Sequence, residues 1–231
     1  FRDRHNPQTT ALRRLWQIEE SDCVLVAGST HAPEEEIVLR IFAHLSEKWP
    51  GLKLVLVPRN AERFNAVAEL LDRSRNKFRR ASASPACVTP GGGSPGDDAA
   101  DDARVILVDT VGQLRDVWGL GQMAFVGGSL CREGGHNMIE PASYGIPVCF
   151  GPDIGTFQAV VDIFLAANAA VRTDSADALR NTLERWLQFP FEAAEMGARA
   201  RLVVEQHSCS VPTTLRRITA LLPGPVHKTE I

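Results

Sequence analysis

The segment richest in groups able to do chemistry is Gly134-Gly135-His136-Asn137-Met138-Ile139-Glu140-Pro141. Paired glycines let backbone approach a ligand closely, and free N–H groups at a helix start attract anions. Asn137 and Glu140 stand three apart, which places them on one face if a helix runs from His136 to Tyr144. One turn in, the Glu140 carboxylate can accept two hydrogen bonds from a vicinal diol such as a ribose. A nucleoside monophosphate joined to another group fits: phosphate on the amides, sugar hydroxyls on the glutamate. A plain glycine turn with Glu140 in solvent fits the local spacing equally well.

Other candidates follow apolar runs elsewhere. Ser29, Thr30 and His31 come after Asp22–Ala27 and Gly28. His31 is either an acid–base group or a partner of a loop carbonyl, the second being favoured for catalysis but not for ligand contact. Pro58 and Arg59 come after Lys53–Val57, and Arg59 is either a phosphate or carboxylate clamp or a surface arginine. Asp109, Thr110, Val111, Gly112 and Gln113 come after Val105–Val108. Glu34, Glu35 and Glu36 read as a solvated first helical turn that complements the helix dipole. Trp16, Trp49, Trp118 and Trp186 read as packing residues.

The elements that must carry these residues alternate. Nearly continuous apolar runs of strand length at Asp22–Ala27, Lys53–Val57, Val105–Val108, Met123–Val126 and Pro147–Phe150 read as strands buried on both faces. A sixth is expected at Ala169–Arg172. Between them lie helical patterns: Pro33–Leu45 with Ile37, Ile41, Ala43 and Leu45 as its apolar stripe, Glu62–Leu71, Val111–Gly119, His136–Tyr144 and Phe157–Asn168. Helices at Asp177–Gln188 and Phe191–Ser208 close the chain. Strand–helix–strand repetition implies right-handed parallel crossovers. The expected fold class is therefore α/β: a doubly wound parallel sheet of five or six strands in one Rossmann-like domain, with ligands beyond the strands' carboxyl ends. From about Arg80 to Ala103, a Ser-, Pro-, Gly- and Asp-rich stretch reads as a flexible insertion; Asp97, Asp98, Asp101 and Asp102 there lack the scaffold a metal site needs.

Composition narrows the class. The 231 residues carry 25 Lys+Arg against 28 Asp+Glu, a net charge of −3, with 44% hydrophobic residues. That excludes a disordered chain and argues against a nucleic-acid binder. No run of 18 apolar residues and no apolar leader occurs, and the absent initiating Met suggests a fragment or processed chain. The five cysteines, at 23, 87, 131, 149 and 209, form no C-x-x-C pair, which speaks against a disulfide framework or zinc site. Cys131 sits near the glycine turn without being expected to react. Phosphate-loop, dinucleotide and nucleophile-elbow signatures are absent.

In order and spacing, the blocks GSTHAPEEEIVL, VPRNAERF, VDTVGQL and AFVGGSLCREGGHNMIEPASYGIPVCFGP resemble the 3-deoxy-D-manno-octulosonic acid (Kdo) transferase family of lipopolysaccharide assembly. The resemblance runs from about Cys23 to the end, outside the insertion. It implies the C-terminal, donor-binding domain of a GT-B glycosyltransferase, holding CMP-Kdo. It assigns Pro58, Arg59, Val111, Gly112 and Gln113 to the nucleotide, Gly134, Gly135, His136 and Asn137 to the phosphate, Glu140 to the ribose, and Ser29, Thr30 and His31 to the cleft. It also implies an inverting transfer to lipid A, with no metal or other cofactor. The base, the acceptor site and a membrane anchor would belong to a first domain outside this chain, on the cytoplasmic face of the inner membrane. Departures fall at Asn60 and Ala61, at Val111 and Gln113, where a carboxylate is lost, and in Asp153–Phe157, including Thr156. A domain for another sugar nucleotide (a UDP-sugar transferase or epimerase) and a non-catalytic nucleotide-binding module remain as alternatives.

Overall fold

The computed structural model describes residues 2–74, 76–83 and 103–208. Among these described residues, seven strands form one all-parallel sheet in the order β3-β4-β2-β1-β5-β6-β7. They are β1 (Cys23–Thr30), β2 (Leu52–Pro58), β3 (Phe78–Arg80), β4 (Val105–Leu107), β5 (Met123–Val126), β6 (Val148–Phe150) and β7 (Ala170–Arg172). The sheet has one strand more than the upper sequence expectation. The addition is β3, a three-residue edge strand that pairs with β4. Residues Arg80–Ala83, expected in the flexible insertion, instead form the end of β3 and a 3-10 turn. The remainder of that expectation, including the four aspartates, lies outside the described residues.

Eight helices flank the sheet among the described residues. These are α1 (Pro7–Leu15), α2 (Glu34–Lys48), α3 (Phe64–Arg73), α4 (Leu114–Val117), α5 (Ile139–Ser143), α6 (Gln158–Ala166), α7 (Ala176–Gln188) and α8 (Pro190–Ser208). Side chains alternate across the buried strands, so the sheet feeds two cores. Leu25, Ala27, Leu54, Leu56 and Phe125 pack with α2, α3 and α7. Val24, Val26, Val55, Ala124 and Val126 pack with α1, α4, α5, α6 and α8. Trp16, Trp118 and Trp186 are buried in these cores, as packing residues should be.

Helix α2 buries Val38, Leu39, Ile41, Phe42 and Leu45. That stripe corrects the one expected, since Ile37 is half-buried and Ala43 exposed. Helix α1, not among the expected elements, opens on Asn6, whose side chain accepts the N–H of Thr9, followed by Pro7 in the first turn. The segment expected as a helix over Val111–Gly119 is shorter: α4 passes into a 3-10 turn over Trp118–Leu120.

The order reverses around β1, since β2 lies on one side and β5 on the other. Helix α2, after β1, and α5, after β5, cover opposite faces. The crevice between the carboxyl ends of β1 and β5 is therefore the topological switch point, where open α/β sheets bind ligands.

Candidate functional site

Four adjacent strands, β4-β2-β1-β5, present every predicted site residue at their carboxyl ends. Neighbouring strands lie about 4.8 Å apart, so this row spans about 14 Å. Ser29, Thr30 and His31 end β1, Pro58 and Arg59 end β2, Val111, Gly112 and Gln113 follow β4, and Gly134 to Glu140 follow β5. The structure thus gathers the whole predicted set along one sheet edge.

The crevice is organised by a residue assigned elsewhere in the sequence reading. Glu34 is not solvated: it is 0% exposed, and Glu35 is 1% exposed. One Glu34 oxygen, Oε2, accepts the N–H groups of His31 (3.0 Å) and Gly128 (2.7 Å). The other, Oε1, accepts those of Ser129 (2.9 Å) and Leu130 (2.8 Å). One carboxylate therefore clamps the loop after β1 to the loop after β5. Glu35 is held by Arg63 through two contacts at 3.3 and 3.2 Å. Only Glu36 is exposed, as expected for all three. Glycine at 127 follows from the same crowding, because a Cβ there would lie 2.5 Å from the Ser29 carbonyl and 2.8 Å from Glu34 Oε2. Ser29 itself adopts φ 56° at a register shift in β1.

The glycine turn differs from its expected form. Gly134 and Gly135 both have positive φ, at 80° and 67°. Their N–H groups are occupied: Gly134 donates to Asp153 Oδ2 at 2.9 Å, and Gly135 donates to the Gly128 carbonyl at 2.8 Å. The N–H groups of His136 and Asn137 take no partner among the described residues. The unpartnered amides thus sit one to two residues later than the glycines themselves. Helix α5 opens only at Ile139, whose N–H is accepted by Asn137 Oδ1 at 3.0 Å. Asn137 therefore precedes the helix rather than sharing its face with Glu140. It still reaches Glu140, with Nδ2 3.4 Å from Oε1. A helix of five residues contributes one turn and little macrodipole, so the free N–H groups here belong to the loop before it. Glu140 is half-buried, not fully solvated.

His31 is not paired with a loop carbonyl. Its Nε2 lies 2.9 Å from His136 Nε2, and the two rings meet edge to edge, with centroids 5.1 Å apart and 13° between planes. Burial lowers the His136 pKa, and His31 and the Arg59 charge lower it further, against the opposing pull of Glu34 and Glu133. Arg59 is exposed, and its backbone N–H donates to the Thr30 carbonyl at 2.9 Å. Pro58 is buried. Val111 is 83% exposed beside Gly112, a large apolar side chain standing free at the sheet edge. Gln113 is half-buried, with Oε1 lacking a partner, and Thr30 and Thr110 each hold a buried hydroxyl that also lacks one.

Asp109 serves the scaffold. Its oxygens take the Ser82 N–H (2.8 Å), the Ser82 hydroxyl (2.6 Å) and Arg80 Nε (2.6 Å). Burial pushes the Asp109 pKa up, but the Ser82 and Arg80 contacts outweigh it and hold the carboxyl below its ordinary range. Burial, with Glu34 and Glu133 nearby, pushes the Cys131 thiol up to about 12, so it is protonated and unreactive at neutral pH. Among the described residues no group of three or more His, Cys, Asp or Glu side chains could hold a metal ion. None of their helices is long and apolar enough to cross a membrane. A separate cavity of about 710 Å³ lies beside α1, lined by Leu12, Leu15, Trp16, Ala81 and Gln113 among others. It touches the predicted set only through Gln113.

A solved structure matches this arrangement over nearly its full extent. It is described as the C-terminal CMP-Kdo binding domain of WaaA from Acinetobacter baumannii. It is 31% identical, covers 85% of this chain and 96% of its own, and superposes with a TM-score of 0.74. The chain belongs to the 3-deoxy-D-manno-octulosonic acid transferase family. A Kdo transferase from Haemophilus influenzae is 35% identical over 178 residues, 77% of this chain and 38% of that protein. The chain spans less than half the length of the curated Kdo transferases it matches. No protein-family model matches it. The Anabaena protein HepE, solved with UDP and glucose, shares the fold at 11% identity (TM-score 0.59, 95% of this chain and 54% of that one). The α/β architecture is that of a GT-B glycosyltransferase domain, and the relatives are named glycosyltransferases.

Proposed function

We propose that this chain is the donor-binding domain of a Kdo transferase, holding CMP-Kdo while Kdo passes to lipid A with inversion. The observation that carries the reading is the row of loops after β4, β2, β1 and β5, which brings groups suited to a base, a ribose and a phosphate to one end of the sheet. Exposed Val111 and Gly112 give the base an apolar, open edge. The Glu140 carboxylate, steadied by Asn137, takes the ribose hydroxyls. Arg59, the N–H groups of His136 and Asn137, and the imidazoles above them face the phosphate. As the bond to the sugar breaks, negative charge grows on the departing phosphate, and fixed donors there stabilise it without reorganising. Arginine suits that role because its planar fork matches phosphate oxygens. The reading needs no metal or other cofactor, since these donors supply the positive field. It places the base that deprotonates the acceptor, the lipid A site and contact with the inner membrane's cytoplasmic face in other parts of the enzyme.

Calorimetry of this chain with CMP and UMP tests the donor assignment. CMP is expected to bind in preference to UMP, and chelation of metals is expected to leave its affinity unchanged. Hydrogen bonds to a charged group contribute about 1.5–3 kcal/mol, so Glu140→Ala should weaken CMP about 10- to 150-fold. Equal affinity for CMP in the variant and the parent chain would overturn the ribose assignment.

A further inference from the structure

The imidazoles of His31 and His136 come from two different loops and meet across the switch-point crevice. Their Nε2 atoms are 2.9 Å apart, and both rings are half-buried. The site is shaped for this contact: a Cβ at Gly128 would stand 2.8 Å from His136 Cδ2, so only glycine leaves the ring its place.

A nitrogen–nitrogen hydrogen bond constrains the proton count. In the neutral pair one ring donates its Nε2–H, and the other accepts at Nε2 and carries its own proton on Nδ1. One added proton goes to the remaining Nδ1 and leaves the bridge intact. A second would put protons on both facing nitrogens and force two imidazolium ions together. The pair can therefore gain one positive charge, and only one, without coming apart.

The surroundings decide when it does so. Arg59, at the end of β2, repels the charge. Glu34, from α2, and Glu133, in the loop after β5, attract it. Glu34 is already engaged by four N–H groups, and Asp153, in the loop after β6, by the Gly134 N–H. An anion set against Arg59 and the His136 and Asn137 amides would cancel the repulsion and supply the missing counter-charge. We propose that the His31–His136 pair takes up one proton from solvent when the nucleotide phosphate binds, so that the phosphate is held by an imidazolium created on binding. His136 is the contacting group and His31 the positioning residue that shares its proton. This inference rests on the donor-site reading above.

The test is titration of the 231-residue chain with CMP at pH 7 in two buffers of different ionisation enthalpy. At that pH the phosphate monoester, whose second pKa is about 6, is already mostly dianionic. The expected result is net uptake of about half a proton or more per CMP. CMP affinity should then fall as pH rises from 6.5 to 8, by up to tenfold per unit. His136→Gln and His31→Gln should abolish the uptake. Imidazole nitrogen NMR of the unmodified chain reads the same event without a variant, with one ring expected to become protonated on adding CMP. CMP binding with equal enthalpy in both buffers and a flat pH profile would overturn the inference alone. Absence of CMP binding would overturn the donor assignment and this inference with it.

Discussion

The Glu34 clamp makes a sharp prediction because its replacement can be almost isosteric. Glu34→Gln keeps the side chain's shape but turns one acceptor oxygen into an NH2 group. Each oxygen now accepts two backbone N–H groups, so two of the four lose their acceptor and face another donor. The site is 0% exposed, so water cannot replace the lost acceptor. An orphaned buried donor costs about 1–3 kcal/mol, which gives a loss of about 2–6 kcal/mol. A typical domain has about 5–15 kcal/mol in total. For a chain of this size each kcal/mol lowers Tm by about 2–4 °C. A mid-range loss of about 4 kcal/mol therefore lowers Tm by roughly 8–16 °C, readable by calorimetry or circular dichroism. Glu36→Gln, two residues along and exposed, is the control and should stay within about 0.5 kcal/mol of the parent. A Glu34→Gln chain as stable as Glu36→Gln would refute the claim that this carboxylate joins the two loops.

Two further outcomes follow from the same geometry. Gly151→Ala should destabilise severely, because its Cβ would stand 2.1 Å from the Ser129 carbonyl oxygen, while Gly112→Ala, at φ 88° with open space, should cost only the left-handed strain of about 1–2 kcal/mol; comparable melting temperatures for the two would contradict this. Asp109 is held below its ordinary range, so its stabilisation is present above about pH 4 and lost as pH falls through its lower folded-state value. Acid unfolding of Asp109→Asn, followed by circular dichroism, should lack that step, and an unchanged acid limb would count against the Ser82–Arg80 contacts.

Much of the fold was legible because buried parallel strands leave continuous apolar runs. Strands β2, β5 and β6 and helices α7 and α8 stand within one residue of their expected bounds, while β1 runs three residues past its expected end. Strand β3 was not legible: Phe78-Arg79-Arg80 is short, lies at the sheet edge and carries two arginines whose partners are distant in sequence. Arg79 reaches the Leu15 carbonyl and Gln17, and Arg80 reaches Asp109. Helix α1 did carry a signal, Asn6-Pro7 before Leu12 and Leu15, of the kind that opens helices.

The site residues were legible as a set because glycines and polar groups collect where apolar runs end. Their internal wiring was not. Three adjacent glutamates look alike on a dipole argument, yet burial separates Glu34 and Glu35 from Glu36. The available clue was Glu34 three residues after His31, a spacing at which a carboxylate reaches back to a backbone N–H. The Gly127-Gly128 pair with which it packs lies about 94 residues away in sequence, beyond local reading. The helix expected from His136 fails to form before Ile139 because Gly134 and Gly135 take positive φ and Asn137 caps the following N–H.

The central claim is that the nucleotide lies along the carboxyl ends of β4, β2, β1 and β5. Amide NMR shifts of this chain during CMP titration test it most directly. Saturable shifts concentrated at Thr30–His31, Arg59, Val111–Gln113 and His136–Glu140 are expected. Saturable shifts confined to Leu12, Leu15, Trp16 and Ala81, around the separate cavity beside α1, would contradict it.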